Sequence, residues 1–202
     1  MEGIAVIKKI SFALVAMSFM FLVSQNTLFA EELDSSELGE SESVHFIQTI
    51  DINDPSVRQV SEEEVISDYM KGQGVDYVTA VKALGINRDE KANLNCKTSW
   101  VEVTTSWKTI DSLSKAKFRM FPYAQLRQCG SRGPADVISV SSNVRHEISG
   151  GMGGVRINVK DAWKIDNRRI GARASGEIVN ALGWKLRNWS YNATVTMVGS
   201  GW

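Results

Sequence analysis

Histidine, cysteine and proline are scarce in this 202-residue chain, which has two His, two Cys and three Pro. The two histidines, His45 and His146, and the two cysteines are too few and too scattered for a four-ligand zinc site. No metal centre or other cofactor is therefore expected. Three prolines exclude collagen-like or polyproline architecture. No G-x-S-x-G nucleophile elbow occurs, and the glycines at 150, 151, 153 and 154 do not match a phosphate-binding loop. A surplus of either charge is missing too. The 23 Lys+Arg against 23 Asp+Glu exclude a strongly basic nucleic-acid binder for the chain as a whole.

Long apolar runs are almost absent. The one that stands out, Ile10 to Val23, is interrupted only by Ser11 and Ser18 and follows Lys8 and Lys9. It is short of the roughly 20 residues a spanning helix needs. A polar stretch and then Leu28-Phe29-Ala30 precede Glu31-Glu32, the layout of a cleavable secretory signal with cleavage near Ala30. The expected location is therefore extracellular or at a bacterial cell surface. In that oxidising setting Cys96 and Cys129 read as one disulfide. The loop it closes makes it worth about 3–4 kcal/mol in the chain-entropy model.

Zero net charge is the sum of two opposite halves. Residues 31 to 95 carry 15 acidic and 5 basic side chains, a net of −10, and residues 96 to 202 carry 7 and 16, a net of +9. All six tryptophans, from Trp100 to Trp202, fall in the basic half. The domain reading follows: signal peptide 1–30, acidic and largely disordered leader 31–60, helical hairpin 61–87, and basic antiparallel β domain 96–202. Within the leader, Val44 to Ile52 is apolar enough to add a strand to a neighbour. Ser61 with Glu64 forms a capping box, Gly72 and Gly74 end that helix, and Asp76 caps a second one stopped by Gly85.

The basic half alternates apolar and polar residues with period two. Ile138 to Ile148, Val155 to Trp163 and Trp189 to Met197 show it, and Val101 to Thr105, Phe118 to Arg127 and Ile170 to Ile178 read as further strands. The fold class expected is mainly β: a small antiparallel sandwich or barrel of about six or seven strands, with a short N-terminal helical hairpin. In this pattern Val155, Ile157, Val159 and Trp163 share the buried face, and the glycines from 150 to 154 form a hairpin tip.

No catalytic constellation assembles. Ser112 to Lys115 matches S-x-x-K without the companion motifs of a penicillin-recognising enzyme. His146 shares an apolar face with Val144 and Ile148, the placement of a core or edge histidine. Seven carboxylates of the basic half (Glu102, Asp111, Asp136, Glu147, Asp161, Asp166, Glu177) are available for acid/base pairing, but nothing in the sequence brings two together. What remains is the conjunction of cations and aromatics. Trp184, Lys185, Arg187 and Trp189 form the densest cluster, and Arg156, Lys160 and Arg173 lie on predicted polar sheet faces.

The favoured expectation is a secreted cationic β-module that binds an anionic cell-envelope surface or polymer (cell-wall polymer, glycan or lipid), with antibacterial action as one outcome. Its acidic leader would mask it. The alternative is a secreted protein-binding or inhibitor module without catalytic activity. A pore former that inserts the hairpin Val137 to Ile165 is a third reading. Intracellular nucleic acid is not an expected partner.

Overall fold

The computed structural model describes residues 42–86, 96–130, 134–151 and 153–199. The signal segment with its cleavage position, residues 31–41 of the leader, Arg132 and Trp202 lie outside the described residues.

Eleven strands and two helices are described, so the fold is mainly β and has more strands than the six or seven expected. In chain order they are β1 (Glu42–Asp51), β2 (Val57–Val60), α1 (Glu62–Gln73), α2 (Tyr77–Ala83), β3 (Cys96–Val103), β4 (Lys108–Asp111), β5 (Ala116–Phe121), β6 (Tyr123–Cys129), β7 (Ala135–Val140), β8 (Arg145–Ser149), β9 (Gly154–Lys164), β10 (Arg169–Val179) and β11 (Lys185–Val198). They form three sheets ordered β1-β11-β10-β9, β2-β3-β6-β7 and β4-β5-β8. None closes into a barrel among the described residues.

The arrangement is sandwich-like, with one long sheet facing two shorter ones. One half of the β9–β11 sheet packs Ala172, Ala174, Trp189 and Tyr191 against Ile110, Phe118 and Met120 of the β4-β5-β8 sheet. Its other half packs Ile170, Val195 and Met197 against Val101, Val103, Leu126 and Val137 of the β2-β3-β6-β7 sheet. Phe118 to Arg127, expected as one strand, breaks at Pro122 into β5 and β6, which belong to different sheets. Proline has no N–H for a ladder, and a bend there lets the chain cross between sheets.

The helical hairpin forms as its caps dictate. Ser61 Oγ accepts the Glu64 N–H at 3.1 Å, Asp76 accepts the Thr79 N–H at 2.8 Å, and Gly74 ends α1 in the left-handed region. The hairpin buries Val65, Ile66, Ala80 and Leu84 on Trp100 and Tyr123, covering the outer face of the β3–β6 pair. The disulfide joins Cys96 and Cys129, which are register partners at the end of that pair.

Three expectations are corrected. First, residues 42–60 are not a disordered leader. β1 runs parallel to β11 over ten register pairs, from Glu42 opposite Trp189 to Asp51 opposite Val198, and β2 pairs with β3. Ile50 and Ile52 are buried in the shared core, so this segment has apolar surface enough to offset the cost of ordering. The parallel pair is also a departure from an all-antiparallel sheet. It is possible because the long stretch of chain between the two strands acts as the crossover.

Second, β8 and β9 are not a hairpin. β8 pairs with β5, β9 pairs with β10, and the glycine-rich connection passes from one sheet to another. This removes the inserting hairpin of the pore reading. Third, β9 does not keep one phase. Ser175 pairs with Val159 while Gly176 pairs with Ile157, leaving Asn158 unpaired as a β-bulge. One extra residue reverses which face each later side chain occupies. Val155 and Ile157 pack on the core, whereas Val159 and Trp163 are turned out, with 46% and 40% exposure.

Candidate functional site

The structure divides the predicted site residues among five places. Trp189 is 1% exposed and packs against Phe118, with ring centroids 5.0 Å apart, so it belongs to the core and not to a binding surface. The cause is its phase on β11, shared with the inward-facing Tyr191, Ala193 and Val195. Arg187 turns partly inward, 3.3 Å from the buried Asp111 and 3.5 Å from Glu42, and so ties β11 to β1 and β4. Lys160, redirected by the bulge, lines a polar groove of about 460 Å³ with Glu64, Asp68, Lys71 and Arg145. Arg173 lies on the open outer face of the β9–β11 sheet, 3.7 Å from Asp161. Only Trp184, Lys185 and Arg156 remain together, and Glu177 joins the two cations, 2.9 Å from Arg156 and 3.4 Å from Lys185.

Ion pairing restrains the cationic character of the sheets. Each of the seven carboxylates of the basic half faces an arginine: Glu102 holds Arg58 and Arg145, and Asp111, Asp136, Glu147, Asp161, Asp166 and Glu177 hold Arg187, Arg168, Arg119, Arg173, Arg169 and Arg156. Glu102 is the most enclosed of the bridging ones. It accepts from Arg58 Nη2 and from Arg145 Nη1, both at 2.8 Å. Two links, Arg58 to Glu102 and Glu42 to Arg187, bridge the acidic and basic halves.

His146 stacks on Phe118 at 5.7 Å, and its Nδ1 meets no hydrogen-bond partner among the described residues. Burial, followed by the positive charge of Lys160, holds its pKa below the ordinary histidine value. Tyr123 donates to Asp68 Oδ2 at 2.7 Å, and its burial raises its pKa. Among the described residues no group of three His, Cys, Asp or Glu side chains converges.

The most unusual surface lies where three connections gather at one end of the sandwich. The first is the β4–β5 turn, whose Leu113 is 73% exposed and whose Ser112 is held by the Glu42 carboxylate. The second is the β10–β11 turn, with Leu182 at 73% and Trp184 at 69% exposure. The third is the glycine connection between β8 and β9, which touches both. A Cβ on Gly150 would fall 2.8 Å from the Lys115 carbonyl oxygen, and one on Gly153 would fall 2.3 Å from that of Val179.

The β10–β11 turn is internally braced. Asn180 Oδ1 accepts the N–H groups of Leu182 and Trp184 at 3.0 and 2.9 Å, and the Asn180 N–H donates to the Trp184 carbonyl at 3.0 Å. Two large apolar side chains are thus held in solvent by a rigid frame. The strands and turns that meet there carry Lys115, Lys117, Lys185, Arg156 and Arg187; Glu177 pairs with Lys185 and Arg156, and Glu42 and Asp111 pair with Arg187. Neither Lys115 nor Lys117 has an ion-pair partner among the described residues, and both are exposed. Leu113 and Leu182 carried no signal in the sequence, since 69 positions separate them. The turn-forming Asn180 and Gly183 on either side of Leu182 are the one local hint. No protein-family model, no curated protein and no solved structure matches this chain.

Proposed function

We propose that this protein is an exported, non-catalytic β-sandwich module that binds the anionic surface of a bacterial cell envelope through its three-loop end. One observation carries the reading: Leu113, Leu182 and Trp184 stand in solvent on turns linked by the glycine connection, and the exposed Lys115 and Lys117 beside the first turn have no ion-pair partner among the described residues. Isolated exposed apolar residues are ordinary, but such residues beside cations match the chemistry of a lipid interface. There tryptophan bridges headgroup and hydrocarbon, and each cation near an anionic leaflet adds about 1 kcal/mol. Of the envelope partners considered, anionic lipid therefore fits best.

The acidic leader keeps a role as a mask in narrower form. Strand β1 begins at Glu42, whose carboxylate holds Ser112 of the β4–β5 turn, and Glu31, Glu32, Asp34, Glu37 and Glu40 precede it in sequence.

Sedimentation with phosphatidylglycerol vesicles tests the proposal, with phosphatidylcholine vesicles as control. The protein should partition onto the anionic vesicles and be released by salt. Seating side chains that are about 70% exposed gains about 1–2 kcal/mol each. The double variant L182S/W184S should therefore bind about 30-fold or more weakly. Unchanged partition of that variant, or no partition of the native chain, would refute the lipid surface. Binding to purified anionic wall polymer that ignores both substitutions would move the contact to the cations on the sheet.

A protein-binding or inhibitor module is the second reading. It is favoured by the adjacent Tyr77 and Val78, 42% and 74% exposed at the start of α2.

A further inference from the structure

The helical hairpin covers the outer face of the β3–β6 pair, but no described element covers the outer face of the β1-β11-β10-β9 sheet. Register places the side chains on that open face in rows. One row runs Ile47, Thr194, Gly171, Trp163, and the next runs His45, Asn192, Arg173, Asp161. Along β11 the outward residues are Ser190, Asn192, Thr194 and Thr196, all small or medium-sized, polar and half-buried. To one side rise Trp163 and Arg173, and to the other Ile47, 77% exposed. At about 4.8 Å per strand, the result is a straight trough with a polar floor along β11.

Trp163 is seated deliberately. A Cβ on Gly171 would fall 2.4 Å from Cε2 and 2.5 Å from Cζ2 of the indole, so only glycine lets the ring lie across the neighbouring strand. The ring is held in place and still 40% exposed, with the Arg173 guanidinium carbon 5.7 Å from its centroid. The bulge at Asn158 is what brings it to this face.

We infer that this trough is a second binding site, separate from the three-loop end, and that its occupant is an extended, uncharged pyranose chain. The C–H face of a sugar ring matches an indole seated flat. The paired Arg173 fork and Asp161 carboxylate offer a donor and an acceptor side by side for neighbouring hydroxyls, with no net charge. Asn192, Thr194 and Ser190 supply both kinds of group along the floor. Nucleic acid fits poorly, because Arg173 and Arg169 are neutralised by Asp161 and Asp166. An extended peptide gains its backbone bonds at a sheet edge and not on a face.

Titration of the full chain with cellotetraose and with chitotetraose, followed by tryptophan fluorescence and proton–nitrogen NMR, tests the site. Saturable binding of at least one, with the largest shifts at the Trp163 indole and in β11, is the expected result. W163A should weaken it about tenfold or more. T194R, which fills the floor while leaving Trp163 in place, should abolish it. W184A should leave it unchanged, with native near-ultraviolet circular dichroism confirming the fold of all three variants. Failure of the native chain to bind either tetrasaccharide would overturn the inference. So would binding by W163A at native strength, or a loss confined to W184A, which would place the sugar at the three-loop end.

Discussion

Removing β1 should unfold the protein, whereas removing the acidic residues before it should not. The contribution of β1 follows from its contacts. Ile50 and Ile52 are 3% and 4% exposed, and burying each is worth about 1.5–3 kcal/mol. Phe46 meets Tyr191 edge-on at 5.2 Å and adds about 1–2 kcal/mol for a half-buried ring. Gln48 Oε1 accepts the Ser106 N–H at 2.9 Å, and the Glu42 carboxylate accepts the Ser112 hydroxyl at 2.7 Å; each is worth about 1 kcal/mol. The total, about 6–10 kcal/mol, matches the whole stability of a typical domain, about 5–15 kcal/mol.

A variant lacking residues 31–52 should therefore lose its cooperative urea transition. It should also aggregate, because the 14-residue β11 becomes an open edge. A variant lacking only 31–41 should keep its urea midpoint. Tryptophan emission, to which the buried Trp100 and Trp189 contribute a red shift on unfolding, reports both cases. Cooperative unfolding of the 31–52 deletion at the native midpoint would refute the reasoning and restore the whole acidic stretch as a removable prosegment.

Two further outcomes are expected. E102Q keeps the size of a buried side chain while removing the charge that Arg58 and Arg145 share. Both arginines are about half exposed, which lowers the penalty to about 1–3 kcal/mol, read as a lower urea midpoint at unchanged slope. The pKa of His146 is lowered in the fold, first by burial and then by Lys160. The unfolded chain thus takes up the proton more readily. The contribution is fully present above the unfolded value of about 6.5 and is lost as pH falls from there toward the folded value. H146F should flatten the dependence of stability on pH in that window, and an unchanged slope would contradict the assignment.

Much of this architecture was legible where local rules decide it. The caps at Ser61 and Asp76 are short-range hydrogen bonds, and the strict alternation from Trp189 to Met197 marks a strand with one buried face. The two cysteines pair as expected. What escaped was non-local or depended on parity. Nothing in Val155 to Trp163 announces that Asn158 stands out of register, and that single residue exchanges the roles of Val159, Lys160 and Trp163. Nothing in Val44 to Ile52 names β11 as a partner more than a hundred positions away. The site residues were chosen by closeness in sequence, which joined Trp184 to Trp189 although one is exposed and the other enclosed. Trp184 is framed by Asn180 of its own turn, and it is sheet topology that brings Gly153 against Val179 and Gly150 against Lys115.

The parallel pairing of β1 with β11 also bears on how the protein carries load. The chain enters at Glu42 at one end of this ladder and leaves through Val198 at the other. Tension applied between an N-terminal attachment and the C-terminus would slide the two strands along each other in shear. All the hydrogen bonds across ten register pairs would then resist together, instead of opening one after another as in a peeled hairpin. Under such tension the ladder is a mechanical clamp that sets the rate of forced unfolding.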